Sequence, residues 1–372
     1  MKKIILYILG IILSVLGGGM IVCCTYGAIT DKFQPIHVYL SLFFSFGVIL
    51  AAGIVMPYLG YKKNVKSKES VDDYHTPVQM PDKKTVKILL QELQKRTCQD
   101  SIKIQIEENR KPTLFESKLG GVPYWDRKRK YPTTSGGSSL MLLAQINLNE
   151  VPDNQMLPKT GMLQFFIWYD RNYGLSMQES GYPNHTYQVV YHEKIDESIT
   201  EADVLSMGIK TTRDLEKEDI HGNQYNGACF PVKGEYAVSF KMEKAYMNDC
   251  DIRCDGLLHK IADELGIALD SRLKFYQMFD EYDKKYADIH ESTYGHRIFG
   301  YPYFRQSDPR SMKRNYYDTL LFQLDSDYWK NQWRILWGDA GAGAFFINSK
   351  KLGELDFRSE ERRVGKECRS RW

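Results

Sequence analysis

The chain has 372 residues, 43% of them apolar and 26% charged, which is enough apolar material for a packed core and excludes global disorder. Aromatic content is high at 13%, with 25 Tyr, and favours a strand-rich body. The formal charge of +3 resides at the two ends and leaves residues 69–357 mildly acidic, so no nucleic acid is expected as a partner: phosphate neutralisation needs a basic face.

Ile4–Ile29 contains no charged residue, and Ile36–Tyr61 contains none apart from the usually neutral His37. Each stretch exceeds the roughly 20 residues that cross a bilayer as helix. Together they predict a transmembrane helical hairpin over residues 1–61, with the lipid bilayer as partner of residues 4–61. Lys2 and Lys3 precede the first stretch; Lys62, Lys63, Lys66 and Lys68 follow the second. The positive-inside rule then predicts a two-pass inner (plasma) membrane protein with both ends cytoplasmic. A cleaved signal peptide in the first stretch and a lipoprotein site at Cys23 are the alternatives. Residues 62–82 are polar and read as a juxtamembrane linker.

The body follows. Val86, Leu89, Leu90 and Leu93 recur at helical spacing within Lys83–Lys95, whereas Ile102, Ile104 and Ile106 alternate with polar residues as in a half-buried strand. Further strands are predicted at Leu140–Ile146, Met162–Trp168, Gln188–His192, Tyr236–Met242, Leu320–Leu324, Arg334–Trp337 and Ala344–Ile347. Helices are predicted within Asp255–Leu265 and Ser271–His290. Ile199–Phe230 is polar and irregular and reads as a long surface excursion.

Three blocks repeat in order. Lys118–Trp125 (KLGGVPYW) matches Arg297–Phe304 (RIFGYPYF), Leu142–Asn147 (LLAQIN) matches Leu320–Asp325 (LLFQLD), and Gly161–Ile167 (GMLQFFI) matches Gly341–Ile347 (GAGAFFI). Near-equal spacing predicts an internal duplication with a pseudo-twofold relation, since two copies make a paired fold and not a solenoid.

These blocks, with Asp308-Pro309, LLFQLDSD and WGDAGAGAFFI, resemble the YwqG-like family of bacterial proteins, a domain of unknown function. The resemblance covers roughly residues 84–357. It implies an α+β fold with a largely antiparallel, internally duplicated sheet over residues 83–357, here preceded by two transmembrane helices. It implies no assigned activity and no cofactor. Residues 358–372 (RSEERRVGKECRSRW) have no apolar period and back-translate in register to a sequencing-library adapter, so they are expected to lie outside the fold.

The chemical candidates are few. Trp337–Gly343 is rich in glycine, but a phosphate cradle needs a helix start next and a P-loop needs a lysine. Phe345-Phe346-Ile347 follows as strand, so the segment reads as a tight turn with Asp339 in an Asx role, or as a polar ligand site. Gln145 and Gln323 sit at matched places in apolar strands, either hydrogen-bonded to neighbouring backbone or paired as ligand contacts. Asn147 and Asp325 are nearly matched. Asp325-Ser326-Asp327 is a weak cation motif. Cys250, Cys254 and His259 lack a fourth zinc ligand, so no metal site is assigned. His296, without a named partner, reads as a turn or core residue, or as a general base.

The expected site therefore comprises Gln145, Gln323, Asp325, Trp337 and Asp339 at the seam between the halves, facing an unknown protein or a small polar ligand. The favoured function is a membrane-tethered cytoplasmic binding module, in one version an immunity-type protein that occludes its partner. The alternative is a hydrolase-like enzyme using Asp339, Asp325 and His296.

Overall fold

The computed structural model describes residues 78–170, 172–175, 185–218, 230–278, 284–304, 308, 310, 317–357 and the backbone of 361–364. The first helix, α1 (Lys83–Thr97), starts where Asp82 accepts hydrogen bonds from the Lys84 and Thr85 amides. Its face of Leu89, Leu90 and Leu93 is buried. Strands β1 (Gln99–Ile106), β2 (Lys118–Leu119), β3 (Met141–Asn147), β4 (Met162–Ile167) and β5 (Tyr187–His192) follow. Two short helices, α2 (Glu201–Leu205) and α3 (Thr212–Glu218), occupy the stretch expected to be irregular, and Thr211 and Thr212 are buried there. Next come β6 (Tyr236–Ala245), α4 (Cys254–Glu264), α5 (Phe275–Met278), α6 (Lys284–Glu291), β7 (Arg297–Phe299) and β8 (Thr319–Asp325). The hairpin β9 (Asp327–Trp329) and β10 (Gln332–Ile335) precedes β11 (Ala342–Ile347), α7 (Ser349–Gly353) and β12 (Glu361–Val364).

Ten strands form one sheet in the order β12-β11-β8-β7-β1-β6-β2-β3-β4-β5, and every pairing in it is antiparallel. The order reads the same from either edge. In chain order the first set is β1 to β5 and the second is β6, β7, β8, β11 and β12. Each set gives its leading strand to the other: β1 pairs with β7, and β6 pairs with β2. The two exchanged strands pair with each other over eight residues, from Gln99 opposite Ala245 to Ile106 opposite Val238. The approximate twofold thus runs between β1 and β6, and the sets are interlocked rather than merely adjacent.

β3, β4 and β11 are buried along almost their whole length, which is why they read as continuous apolar runs instead of alternating ones. The sheet curls until its halves touch. Phe165 of β4 stacks on Phe322 of β8 at 4.4 Å and meets Phe345 at 5.1 Å, although five strands separate β4 from β8. This contact centres the largest core, which also holds Ile102, Ile104, Leu143, Val238, Trp337 and Ile347. α1 and α4 share a second core with Ala245 and Tyr301.

Two expectations are corrected. The fold is mostly curled antiparallel sheet with few helices, so the α+β description overstates the helical part. The two transmembrane helices and the two-pass inner-membrane location drawn from them lack support: no helix among the described residues is long and apolar enough to cross a membrane. The described helices are short and bury only part of their surface, in three different cores. α1, at 15 residues, is the longest of them. Ile4–Ile29 and Ile36–Tyr61 themselves lie outside the described residues. The predicted helix over Ser271–His290 is described as two pieces, α5 and α6. Residues 361–364, placed in the tail by their sequence, pair with β11 as an edge strand.

Candidate functional site

The matched blocks build the same polar arrangement twice. Gln145 is fully buried on β3; its Nε2 donates to the carbonyls of Leu114 (2.8 Å) and Glu116 (2.9 Å), and its Oε1 accepts from the Tyr124 amide (2.8 Å). Gln323 on β8 does likewise, donating to Thr293 (3.0 Å) and Gly295 (2.9 Å) and accepting from Tyr303 (2.8 Å). Each amide closes a loop of its own half onto the sheet through three bonds to backbone. Four strands lie between β3 and β8 in the sheet.

Beside each glutamine lies a buried cation. Lys118 pairs in register with Gln145, and Arg297 with Gln323. The Lys118 Nζ donates to the Val122 carbonyl (3.0 Å) and faces Glu235 at 3.4 Å. Burial lowers its pKa despite that carboxylate. Glu235 also takes Arg213, which reaches Glu201, so the first copy is an ion chain. Arg297 meets neutral acceptors instead: the Ser101 hydroxyl (3.1 Å) and the carbonyls of Ser292 and Tyr294. Burial pulls its pKa down to about 10. Gly121 and Gly300 make room for these acceptors. Both have positive φ, and a Cβ would strike Glu235 at the first and Ser101 at the second.

The copies differ most at the next pair. The Asn147 amide donates to the Ser117 hydroxyl (2.8 Å), whereas the Asp325 amide donates to His296 Nδ1 (3.1 Å). A neutral pair in one half becomes two titratable groups in the other. The Asp325 carboxylate accepts from the Ser326 amide (2.8 Å) and the Gly295 amide (3.3 Å). Burial, with Arg334 and Arg297 nearby, drops the His296 pKa to about 4, although Asp327 opposes the shift.

Of the predicted site residues, Asp325 and Trp337 lie on segments joined through Ser326. The Ser326 hydroxyl links them, accepting from the Trp337 amide (3.0 Å) and donating to the Gly341 carbonyl (2.7 Å). Trp337 is fully buried, however, in a slot left by Gly343, whose missing Cβ would lie 2.5 Å from the indole. Its ring packs on Tyr173, and the Gly338 amide donates to the Tyr173 hydroxyl (2.9 Å). Asp339 is exposed on the turn closed by the Gly341 amide on the Trp337 carbonyl. A surface cleft of about 190 Å³ lies on the connection from β3 to β4, bordered by Leu148, Val151, Pro152, Asn154, Leu157 and Lys159; none of the predicted residues lines it.

Sequence reasoning missed two networks. His192 is buried with Nε2 3.0 Å from Gln164 Oε1 and Nδ1 3.0 Å from Arg129, and Gln164 Nε2 donates to Gln145 Oε1 (2.9 Å). Burial and the Arg129 charge lower the His192 pKa to about 4. The second network is a charge-balanced quartet. Asp251 holds Arg253 (2.6 Å) and Arg310 (2.9 Å), and Arg310 also holds Asp308. Burial alone would raise the Asp251 carboxyl, but the two guanidiniums outweigh it and hold it low. Only Asp308-Pro309 hinted at this. The Cys250, Cys254 and His259 set does not assemble: Cys254 is buried in the α1–α4 core, and His259 Nε2 lies 2.8 Å from the Leu273 carbonyl.

The fold and the doubled polar framework define a two-copy, strand-exchanged antiparallel domain. The chain belongs to the family described as a domain of unknown function (DUF1963), which matches residues 117–360. A comparison with curated proteins finds no match.

Proposed function

We propose that the chain is a binding module that recognises a protein partner through the β9–β10 hairpin. The observation that carries this reading is the contrast between spent polar groups and exposed aromatics. The doubled amides, cations, His192 and His296 are buried and bonded within the fold. Tyr328, Trp329 and Trp333, by contrast, stand 54%, 43% and 38% exposed on a two-stranded hairpin. Arg334 and Lys330 lie over the Trp329 ring at 5.3 and 5.9 Å, and Tyr328 packs on Trp333 at 4.9 Å. Tyr328 and Trp333 thus share one face of the hairpin and Trp329 lies on the other with Arg334; Trp, Tyr and Arg dominate the energetic centres of protein interfaces. The matching connection of the first half, residues 148–161, forms no strands. The hairpin is therefore an addition to the shared framework.

Affinity capture from lysate of the native organism, with the parent and a Trp329→Ala/Trp333→Ala variant side by side, tests the reading. A partner held by the parent and lost by the variant supports it. Equal capture by both overturns it.

The rival is acid–base chemistry of hydrolase type at His296 and Asp325, with Asp339 nearby in sequence. It rests on the 3.1 Å contact between His296 and Asp325. That contact uses the Asp325 backbone amide and not its carboxylate, and both residues are buried, which disfavours it. Turnover of ester or phosphate substrates that vanished in His296→Gln would revive it.

A further inference from the structure

Away from the matched blocks, three side chains of different chemistry converge at one corner of the domain. Asp249 and Cys250 lie in the connection from β6 to α4, and His290 lies in the last turn of α6. One ligand atom from each, a carboxylate oxygen, the Sγ and an imidazole nitrogen, lies within 4.8 Å of the other two. The closest approach is His290 Nε2 to Asp249 Oδ1, at 3.0 Å. Tetrahedral zinc, with bonds of about 2.0–2.3 Å, sets its ligand atoms about 3.3–3.7 Å apart. Shifts of about an ångström in flexible side chains would therefore close this set around an ion.

The surroundings hold the ligands in register. Asn248 is fully buried; its Oδ1 accepts from the Cys250 amide (3.0 Å), and its Nδ2 donates to Thr293 Oγ1 (3.1 Å) and lies 3.4 Å from His290 Nδ1. One side chain thus ties the turn bearing two ligands to Thr293, just beyond the helix end bearing the third. The neighbouring Asp251 is already saturated by Arg253 and Arg310 and is not available as a ligand.

We propose that Asp249, Cys250 and His290 form a zinc site, with water in the fourth position. The mixed sulfur, nitrogen and oxygen set selects zinc over magnesium or calcium, which take oxygen ligands. Three protein ligands leave the tetrahedron open to an exogenous group. Binding replaces the thiol proton, which goes to solvent, and breaks the contact of Cys250 Sγ with the Phe304 carbonyl (3.5 Å). The bland alternative is a His–Asp pair beside an inert thiol, for which the identity of residue 250 would not matter to metal.

The test uses the full chain, free of any tag, stripped with chelator and titrated with Zn²⁺ against a chromophoric competitor. Co²⁺ serves as the spectroscopic probe. One equivalent should bind, with a thiolate-to-cobalt band in the complex. Cys250→Ser and His290→Gln should each weaken binding by at least about tenfold. Cys250→Ser should remove the band, and Cys254→Ser should change neither property. Asp249→Asn, at an exposed position, tests the ligand set if either of the first two variants fails to fold. In the unsubstituted chain, saturating zinc should protect Cys250 but not the exposed Cys98 from alkylation, read by mass spectrometry. Substoichiometric binding, equal affinity in parent and ligand variants, or equal labelling of Cys250 with and without zinc overturns the site.

Discussion

At the residue scale, the two glutamines illustrate how far a sequence can speak. A polar residue at the same place in two apolar strands was legible as a repeated device, and both readings of it required buried hydrogen bonds. The structure directs the three bonds of Gln323 to backbone, and three of the four of Gln145, whose Oε1 also accepts from Gln164 Nε2. Gln145→Leu or Gln323→Leu should therefore strand an amide and two carbonyls and cost on the order of 3 kcal/mol, measured by urea unfolding. A loss below about 1 kcal/mol would contradict the hub role. The burial of Trp337 is not legible locally: the slot it fills comes from Gly343, six residues on. The histidines make a separate prediction. His192 and His296 are held neutral in the folded chain, with pKa values near 4, while the unfolded chain takes up protons at about 6.5. The stability each contributes is complete above about pH 6.5 and is lost as the pH falls toward 4, on the order of 3 kcal/mol for each. Urea midpoints should fall between pH 7.5 and 4.5, and less so in His192→Gln relative to its own value at pH 7.5. An unchanged slope would show that this imidazole is not the titrating group.

At the element scale, most strands were legible because burial on both sides or on one leaves a plain apolar or alternating pattern. Their partners were not. Nothing near Gln99–Ile106 tells that it pairs with Arg297–Phe299 and Tyr236–Ala245, because that register is set across nearly the whole domain. The short helices α2 and α3 were hidden for a related reason: α3 brings Thr212 and Arg213 to the Gly121 amide and Glu235, and α2 brings Glu201 to Arg213. Strand exchange has a direct consequence. Residues 78–198 hold β1 to β5 but lack β6, the partner of β2, and residues 199–372 lack β1, the partner of β7. Produced separately, the two pieces should each fail to give cooperative unfolding; mixed, they should recover it, because the interlocked β1–β6 pair can form only between them. Independent cooperative folding of either piece, followed by circular dichroism, would contradict the exchange.

At the scale of the whole molecule, duplication gives a rigid frame, and divergence between the copies shows where the frame has been modified. Lys118 and Arg297 keep a buried cation at one matched place. Ser117 and Asn147 against His296 and Asp325, and the plain 148–161 connection against the β9–β10 hairpin, are where the copies part. The matched blocks made the duplication readable from the sequence, and the polar residues they carry are buried and hydrogen-bonded within the fold. In the function proposed above, stability resides in that buried set and recognition in the hairpin. The measurement that separates the two roles is paired: unfolding free energy and partner capture for Gln323→Leu and for Trp329→Ala/Trp333→Ala, each against the parent. Gln323→Leu should lower stability by on the order of 3 kcal/mol yet retain capture wherever it remains folded. The hairpin variant should keep its stability to within about 1 kcal/mol and lose capture. A hairpin variant that binds as the parent does, or a folded Gln323→Leu chain that has lost its partner, would contradict the account.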